Sequence, residues 1–400
     1  MTIRYVNTAS TAGGDGTTNA TSGANRAYAT LAEAEAALQA TLSEDMEILC
    51  AGAAADARTT FDGWVPGSFR IYVKGNTGDA AGAHAGVWDT SKYRISAGSG
   101  TLPTLEIVED NVTVQRIQLT TTHVDGGAVG RFGVVGLAAV IDSLILKGPG
   151  TSSSSQGLVC GDTNNTNVRV KNCVAYDWVI GIYVRQQSAG AGDSFIVNNT
   201  VHSCTQGIRG HDNLSAAAYI QAWNNLSVGN TSDWVDTSSG FDLTNSGNNA
   251  FRNTGSACPG SSDIDLSAYL DADIFVDAAN DNFHLNSSGT AYSLLDNDGV
   301  GPSSNSEVTS TDIDGDTRSG TTTSVGADVI VASGSSGTIA ASLASFSSTL
   351  TGTTTVTGSV SNTLSEFVSA ITGTPTVTGS IGGALSDFNS SIAGTTTVHG

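Results

Sequence analysis

Between Val112 and Phe251 a short pattern of apolar and polar positions recurs along the chain. The clearest copies are Val168-Arg169-Val170-Lys171-Asn172-Cys173-Val174, Phe195-Ile196-Val197-Asn198-Asn199-Thr200-Val201 and Tyr219-Ile220-Gln221-Ala222-Trp223-Asn224-Asn225-Leu226. Each alternates apolar and polar residues over a few positions rich in Val, Ile and Thr, turns at Asn or Gly, and resumes with a second short apolar stretch. That period-two alternation belongs to strands. Anchored on the polar residue near the middle, the copies fall at Arg116, Asp142, Asn172, Asn199, Asn225 and Asn249, separated by 26, 30, 27, 26 and 24 residues. A glycine followed by an apolar residue keeps nearly the same beat: Gly136-Leu137, Gly157-Leu158, Gly181-Ile182, Gly207-Ile208 and Gly240-Phe241. A repeat of about 20 to 50 residues predicts a solenoid, in which each copy buries its apolar face against the next.

No copy holds the ten or so residues of helical periodicity that a leucine-rich or ankyrin-like repeat needs. The pattern therefore predicts an all-β parallel β-helix, right-handed, with about three short strands per turn. Asparagine suits the corners, because it tolerates left-handed backbone angles and its amide can bond to the copy one turn on. Upstream, Ile3-Arg4-Tyr5-Val6 reads as a strand. Thr30 to about Leu42 reads as a helix opened by a capping box of Thr30 and Glu33, and is expected to cover the open end of the coil. Met46 to Cys50, Phe69 to Val73, Tyr93 to Ala97 and Leu105 to Val108 read as the strands of the first turns.

From Gly337 a different repeat takes over. Gly337, Gly358, Gly379 and Gly400 stand 21 residues apart, and so do Leu343, Leu364 and Leu385, Phe346, Phe367 and Phe388, and Val356, Val377 and Val398. The apolar spacing from Val360 to Ile371 also suits a short helix, but the Ser, Thr and Gly content favours strands. Three regions follow: 1–45 with the first strand, a loop and the capping helix; 46–335 with the β-helix and its closing segment; and 336–400 with the 21-residue repeats.

Glycine makes up 48 of the 400 residues, and only 13% of the chain is charged. The hydrophobic 39% is regularly patterned, which argues against disorder. A formal charge of -21 repels phosphate backbones, so no nucleic-acid partner is expected. Five scattered cysteines suit neither a disulfide framework nor a zinc site; they read as buried thiols, with Cys173 and Cys204 in strands. Met1 to Asn7 lacks the apolar core of a secretion signal, and no stretch is apolar enough for membrane insertion.

Acid/base chemistry on sugars needs two carboxyl groups about 5 to 9.5 Å apart. Asp162, Asp177, Asp193, Asp212, Asp233, Asp236 and Asp242 lie near the corners, where turns about 4.8 Å apart could pair them. With so many acids on one acidic chain, chance pairing is the better explanation. If the chain is an enzyme, Asp212, Asp233 and Asp236 are first in line, beside Trp223 and Trp234 as platforms for a glycan. Alternating carboxylates at Asp312, Asp314 and Asp316 suit calcium. The glycine at 315 comes one place early for an EF-hand and no Glu closes the loop, so no cofactor is expected and a turn explains the residues as well. His211 and Asp212 cannot form a dyad as strand neighbours, because adjacent side chains face opposite ways. Arg169, Lys171 and Arg185 read as isolated and solvent-facing.

Three stretches carry a resemblance: Arg4-Tyr5-Val6; Gly13-Gly14-Asp15-Gly16-Thr17-Thr18-Asn19-Ala20-Thr21-Ser22-Gly23; and Arg26-Ala27-Tyr28-Ala29-Thr30-Leu31. Together they resemble the start of right-handed parallel β-helix proteins of tailed bacteriophages and prophages. His84 to Ile95 and Asp110-Asn111-Val112-Thr113-Val114 are similar to later pieces of those proteins. Phe275-Val276-Asp277, Asn282-Phe283-His284-Leu285, Asp312 to Arg318 and Val325 to Asp328 resemble the closing segment of many bacterial β-helix proteins. The resemblance implies a structural protein on the virion surface: a spike, fibre or decoration contacting other virion proteins and surface polysaccharide. A tailspike depolymerase and a bacterial adhesin are the alternatives. The C-terminal repeats resemble viral fibre shafts, which are usually trimers. Each copy offers only about five apolar side chains, too few to order it alone. A homotrimer is expected, with copies on three chains meeting around one axis.

Overall fold

In the computed structural model the described residues are 1–97, 102–122, 127–132, 139–151, 154–161, 167–186, 193–212, 220–253 and 258–329, with the C-terminal strands named below. The chain divides into two compact units, Met1–Ile330 and Val331–Gly400. The first contains three parallel sheets of eight, nine and seven strands. Sheet 1 runs from Thr2–Asn7 to Ile220–Trp223, sheet 2 from Ala55–Asp56 to Ile264–Asp265, and sheet 3 from Thr59–Phe61 to Ser232–Thr237. One turn gives one strand to each; Arg169–Lys171, Val174–Tyr176 and Ile180–Gln186 are an example. Every strand but those at the two ends of a sheet pairs with its counterparts one turn before and after. The chain is a parallel β-helix.

Registration lines up the apolar positions. In sheet 1, Ile48, Val73, Val114, Ile141, Val170, Ile196 and Ala222 form one inward column. Each is fully buried. In sheet 3 the column Leu158, Ile182, Ile208 and Trp234 does the same. Burying such a side chain contributes about 1.5–3 kcal/mol, and a one-residue slip would turn the whole set outward.

The corner between sheets 1 and 2 explains the paired asparagines. Arg116, Ser143, Asn172, Asn198, Asn224 and Asn248 all have left-handed backbone angles, with φ between 51° and 57°. The first Asn of each pair thus makes the bend. The second, at Asn199, Asn225 and Asn249, points inward, fully buried, and bonds from turn to turn. The sequence anchors mixed these two positions, so the true beat is the steadier column of bends. Cys173 precedes Asn199 in the ladder, its N–H donating to Asn199 Oδ1 at 2.9 Å, so it lies in a corner and not in a strand. Cys204 likewise donates to Asn230 Oδ1 at a second corner. Cys258 is only half-buried; the other four thiols are buried and all five are free.

The glycine marker has a steric cause at sheet 3. A Cβ on Gly207 would lie 2.2 Å from Ser227 Oγ and 2.5 Å from Asp233 O, and one on Gly181 2.4 Å from Val201 Cγ1. Gly136-Leu137 lies outside the described residues.

Residues 1–45 are part of the same body. Thr2–Asn7 pairs in parallel with Met46–Ala51 as the first strand of sheet 1. The helix is shorter than expected, Leu31–Leu38; Thr30 accepts from Glu33 N, and Leu31 and Ala34 join the main core. No described helix is long and apolar enough to cross a membrane.

The closing segment was not foreseen in its extent. After the last turn the chain runs back along the bends. Asn248 donates to Asp298 O, Asn224 to Val300 O, Asn172 to Thr311 O and Arg116 to Asp314 O. It then returns, and Asn198 meets Gly326 O. Beneath this strap Phe275, Phe283, Leu285, Ile313 and Val325 form a second core with Ile145, Val174, Tyr176, Leu226 and Val228.

In the second unit Ser345–Thr351, Glu366–Thr372 and Phe388–Ala393 form one parallel sheet, and Thr355–Val360, Thr376–Ile381 and Val398–His399 another. Phe346, Phe367 and Phe388 share a register position, as do Val356, Val377 and Val398. The 21-residue repeats are strands, each pairing with the next copy in the same chain.

Candidate functional site

The three carboxylates first in line for catalysis lie on the last two strands of sheet 3. Asp233 is fully buried at a corner. Its Oδ1 accepts from Asn230 N at 3.2 Å and Asn230 Nδ2 at 2.9 Å, and its Oδ2 accepts from Arg252 N at 2.6 Å and from Asn253 N. Burial nevertheless raises its pKa, because these bonds only partly offset desolvation. Asp236 pairs in register with Gly210 on the inward side of sheet 3 and accepts from Gly240 N at 2.7 Å. Asp212, two residues beyond Gly210, is buried too. Asp233 is an acid that holds a corner together, and a sugar ring cannot reach it. Asp193 accepts from Gln221 and Asp242 from Thr244 N; Asp162 lies outside the described residues.

The tryptophans divide. Trp234 is fully buried, its ring packed edge-on against Phe241 at 5.7 Å, so it offers no face to a glycan. Trp223 is half-buried at the last strand of sheet 1 beside Gly247. His211 and Asp212 do face opposite ways. His211 Nδ1 meets Tyr183 Oη at 3.0 Å while Asp212 is buried.

The alternating acids near the C-terminal end of the first unit gather a larger cluster. Asp312, Asp314 and Asp316 bring ligand atoms within 4.8 Å of one another, and so do His284, Asp314 and Asp328. Asp312 organises the loop. Its Oδ1 accepts from Asp314 N, Gly315 N and Asp316 N at 3.2, 2.9 and 2.7 Å, and its Oδ2 from Val329 N at 2.9 Å. Gly315, at φ +101°, permits the turn. Four amides already use the Asp312 carboxylate, so Asp314 and Asp316 are the more open ligands for a calcium ion. Asp314 Oδ2 lies 3.3 Å from His284 Nε2. Burial first, and the neighbouring Asp314 carboxylate second, push Asp312 up to about 8. Asp314 is held well below the usual range by His284. His284 is raised in return, and Asp328 is raised by burial. Arg318, fully buried, donates to Thr323 Oγ1, Ser324 O and Gly326 O.

Two basic residues are not solvent-facing singles. Arg169 and Lys171 both meet Glu307 of the strap, at 2.8 and 3.1 Å. Arg185 belongs to a group on the outer face of sheet 3. Tyr183 stands in register with Arg209, and Arg185 with His211. The Arg185 and Arg209 guanidiniums lie 4.4 and 4.7 Å from the centre of the Tyr183 ring. The His211 ring stacks beside it at 6.3 Å and 12°. Partial burial and then the two arginines lower the His211 pKa. Tyr183 is anchored in a small apolar cluster with Val159 and Ile180. Aligning Gly181-Ile182 with Gly207-Ile208 would have brought these four residues together from the sequence.

No family model matches the chain, and no curated protein matches it in sequence. Among solved structures, a crystal structure of pectate lyase Pel9A is similar, with a TM-score of 0.42 and 13% identity over 82% of this chain and 96% of that one. A likeness at this level carries no argument about activity.

Proposed function

We propose that this chain is a non-catalytic β-helix displayed on the surface of a tailed-phage particle, as a spike, fibre or decoration, where it contacts glycans of the host or its surroundings. The observation that carries the non-catalytic part is Asp233, whose two carboxylate oxygens are both occupied by donors inside the core. The resemblance of the opening stretches, Arg4 to Val6, Gly13 to Gly23 and Arg26 to Leu31, to phage β-helix proteins supports the placement on a particle. Electron microscopy of particles labelled with an antibody against the chain tests that placement, and unlabelled particles would end it. Incubation with purified capsule or lipopolysaccharide tests the chemistry, with no oligosaccharide expected in solution.

One observation favours a depolymerase instead. Asp314 Oδ2 lies 3.3 Å from His284 Nε2, and this contact holds the carboxylate ionised while raising the imidazole, the split that an acid/base pair needs. Oligosaccharide release that disappears in D314N would establish that reading.

A further inference from the structure

The geometry points to the outer face of sheet 3 at Tyr183, Arg185, Arg209 and His211 as a binding site for an acidic polysaccharide, held through its carboxylate or sulfate groups. The inference rests on the glycan-contacting reading and gives it a place and a ligand class.

Two cations share one ring in a chain with only 16 basic residues against 37 acidic ones. Since both lie against Tyr183, their separation cannot exceed the sum of their distances to it, and they repel each other across it. Several other cations of this chain are paired with its acids. Arg58, Lys74, Lys147, Arg169, Lys171 and Arg252 each meet a carboxylate. Arg209 Nη1 makes a 3.4 Å contact with Gln206 Oε1, a neutral partner. The planar guanidinium suits carboxylate and sulfate, whose paired oxygens match its fork of N–H groups.

The surroundings hold the group still. The Tyr183 ring is buried and fixed by Val159 and Ile180, and its hydroxyl is tied to His211. Arg209 and His211 come from one strand, and Tyr183 and Arg185 from the strand before it. The charges therefore sit on a sheet and lose little freedom on binding. Consecutive turns repeat about 4.8 Å apart, so a polymer laid across the strands can present successive acidic groups to this face.

The test is calorimetric titration of the full chain with three oligosaccharides of equal length: alginate for uronate, dextran sulfate for sulfate, and neutral dextran. Wild type should bind alginate, dextran sulfate or both, more weakly as salt rises, and ignore dextran. Preference between the first two names the acidic group. R209Q should weaken binding by about tenfold or more, the loss of one charged hydrogen-bonding partner. K92Q, which removes the same charge from an exposed loop, should leave it unchanged. Circular dichroism of R209Q must match wild type; if it does not, R209K, which keeps the charge and loses the fork, takes its place with the same expected weakening. Equal binding by wild type and the Arg209 variant overturns the site and leaves glycan contact standing. A preference for dextran overturns the acidic class. No binding to any of the three overturns this inference and the glycan contact together.

Discussion

Asn199 and Asn225 stand one turn apart inside the coil, and the side-chain amide of the first donates to Oδ1 of the second at 2.9 Å. The same oxygen also accepts the Asn199 backbone N–H at 3.0 Å, while Asn225 Nδ2 donates to Ile196 O at 2.8 Å and Asn249 Oδ1 at 2.9 Å. Every polar group of the Asn225 side chain is therefore satisfied by the turns before and after it. The chain can bend sharply inside an apolar core only because the side chain replaces the hydrogen bonds that the bend breaks.

Asn225→Ala should accordingly be costly. It orphans the Asn199 N–H and the Ile196 carbonyl in the core, a loss of about 2–4 kcal/mol. Urea unfolding should show a lower midpoint for N225A, with N245A at an exposed corner within about 0.5 kcal/mol of wild type. Equal stability of N225A and N245A would show that the ladder is ornamental.

The strap should hold best in mild acid. Asp312 and Asp328 have raised pKa values in the fold, so the stability they confer is full below 3.8 and fades as pH rises, for Asp312 through about 8. His284, raised above 6.5, adds a contribution lost above that pH. Asp314 works the other way and weakens the fold below 3.8. Thermal unfolding should thus begin at lower temperature at pH 8.5 than at pH 5. In D314N the difference should shrink, because that one carboxylate raises both Asp312 and His284. A profile identical in D314N and wild type would remove the cluster as its cause.

The oligomer prediction rests on the second unit. Three two-stranded turns offer little apolar surface, and each of the two sheets has an end strand in both directions. Association of identical copies answers both problems, and three is the number expected from viral fibre shafts. Sedimentation should give a trimer for the full chain and a smaller species once residues 331–400 are removed. A monomeric full-length chain, or an oligomer that survives the truncation, would defeat the idea.

Much of this architecture was legible in the chain itself. The alternation at Val168 to Val174 and its copies set strands and a turn length, because only a period of two buries one face of a sheet. Exact 21-residue steps specified parallel pairing in register after Val331, since identical residues could then stack. What the linear pattern could not decide was which asparagine of a pair bends and which joins the side-chain ladder, as Asn198 and Asn199 are the same residue type in different backbone states. Nor could it separate Asp233 and Trp234, which look like a catalytic acid beside a sugar platform until the corner around Asn230 and the packing of Phe241 enclose them. The strap over the bends and the meeting of Tyr183 with Arg209 depend on contacts between residues far apart in sequence or a full turn apart. Such contacts exist only once the turns are stacked. The sequence by itself determined the repeat and therefore the coil, because periodicity is local; the tertiary structure decided which polar groups became core and which stayed available to a ligand, because burial is a property of neighbours that only folding supplies.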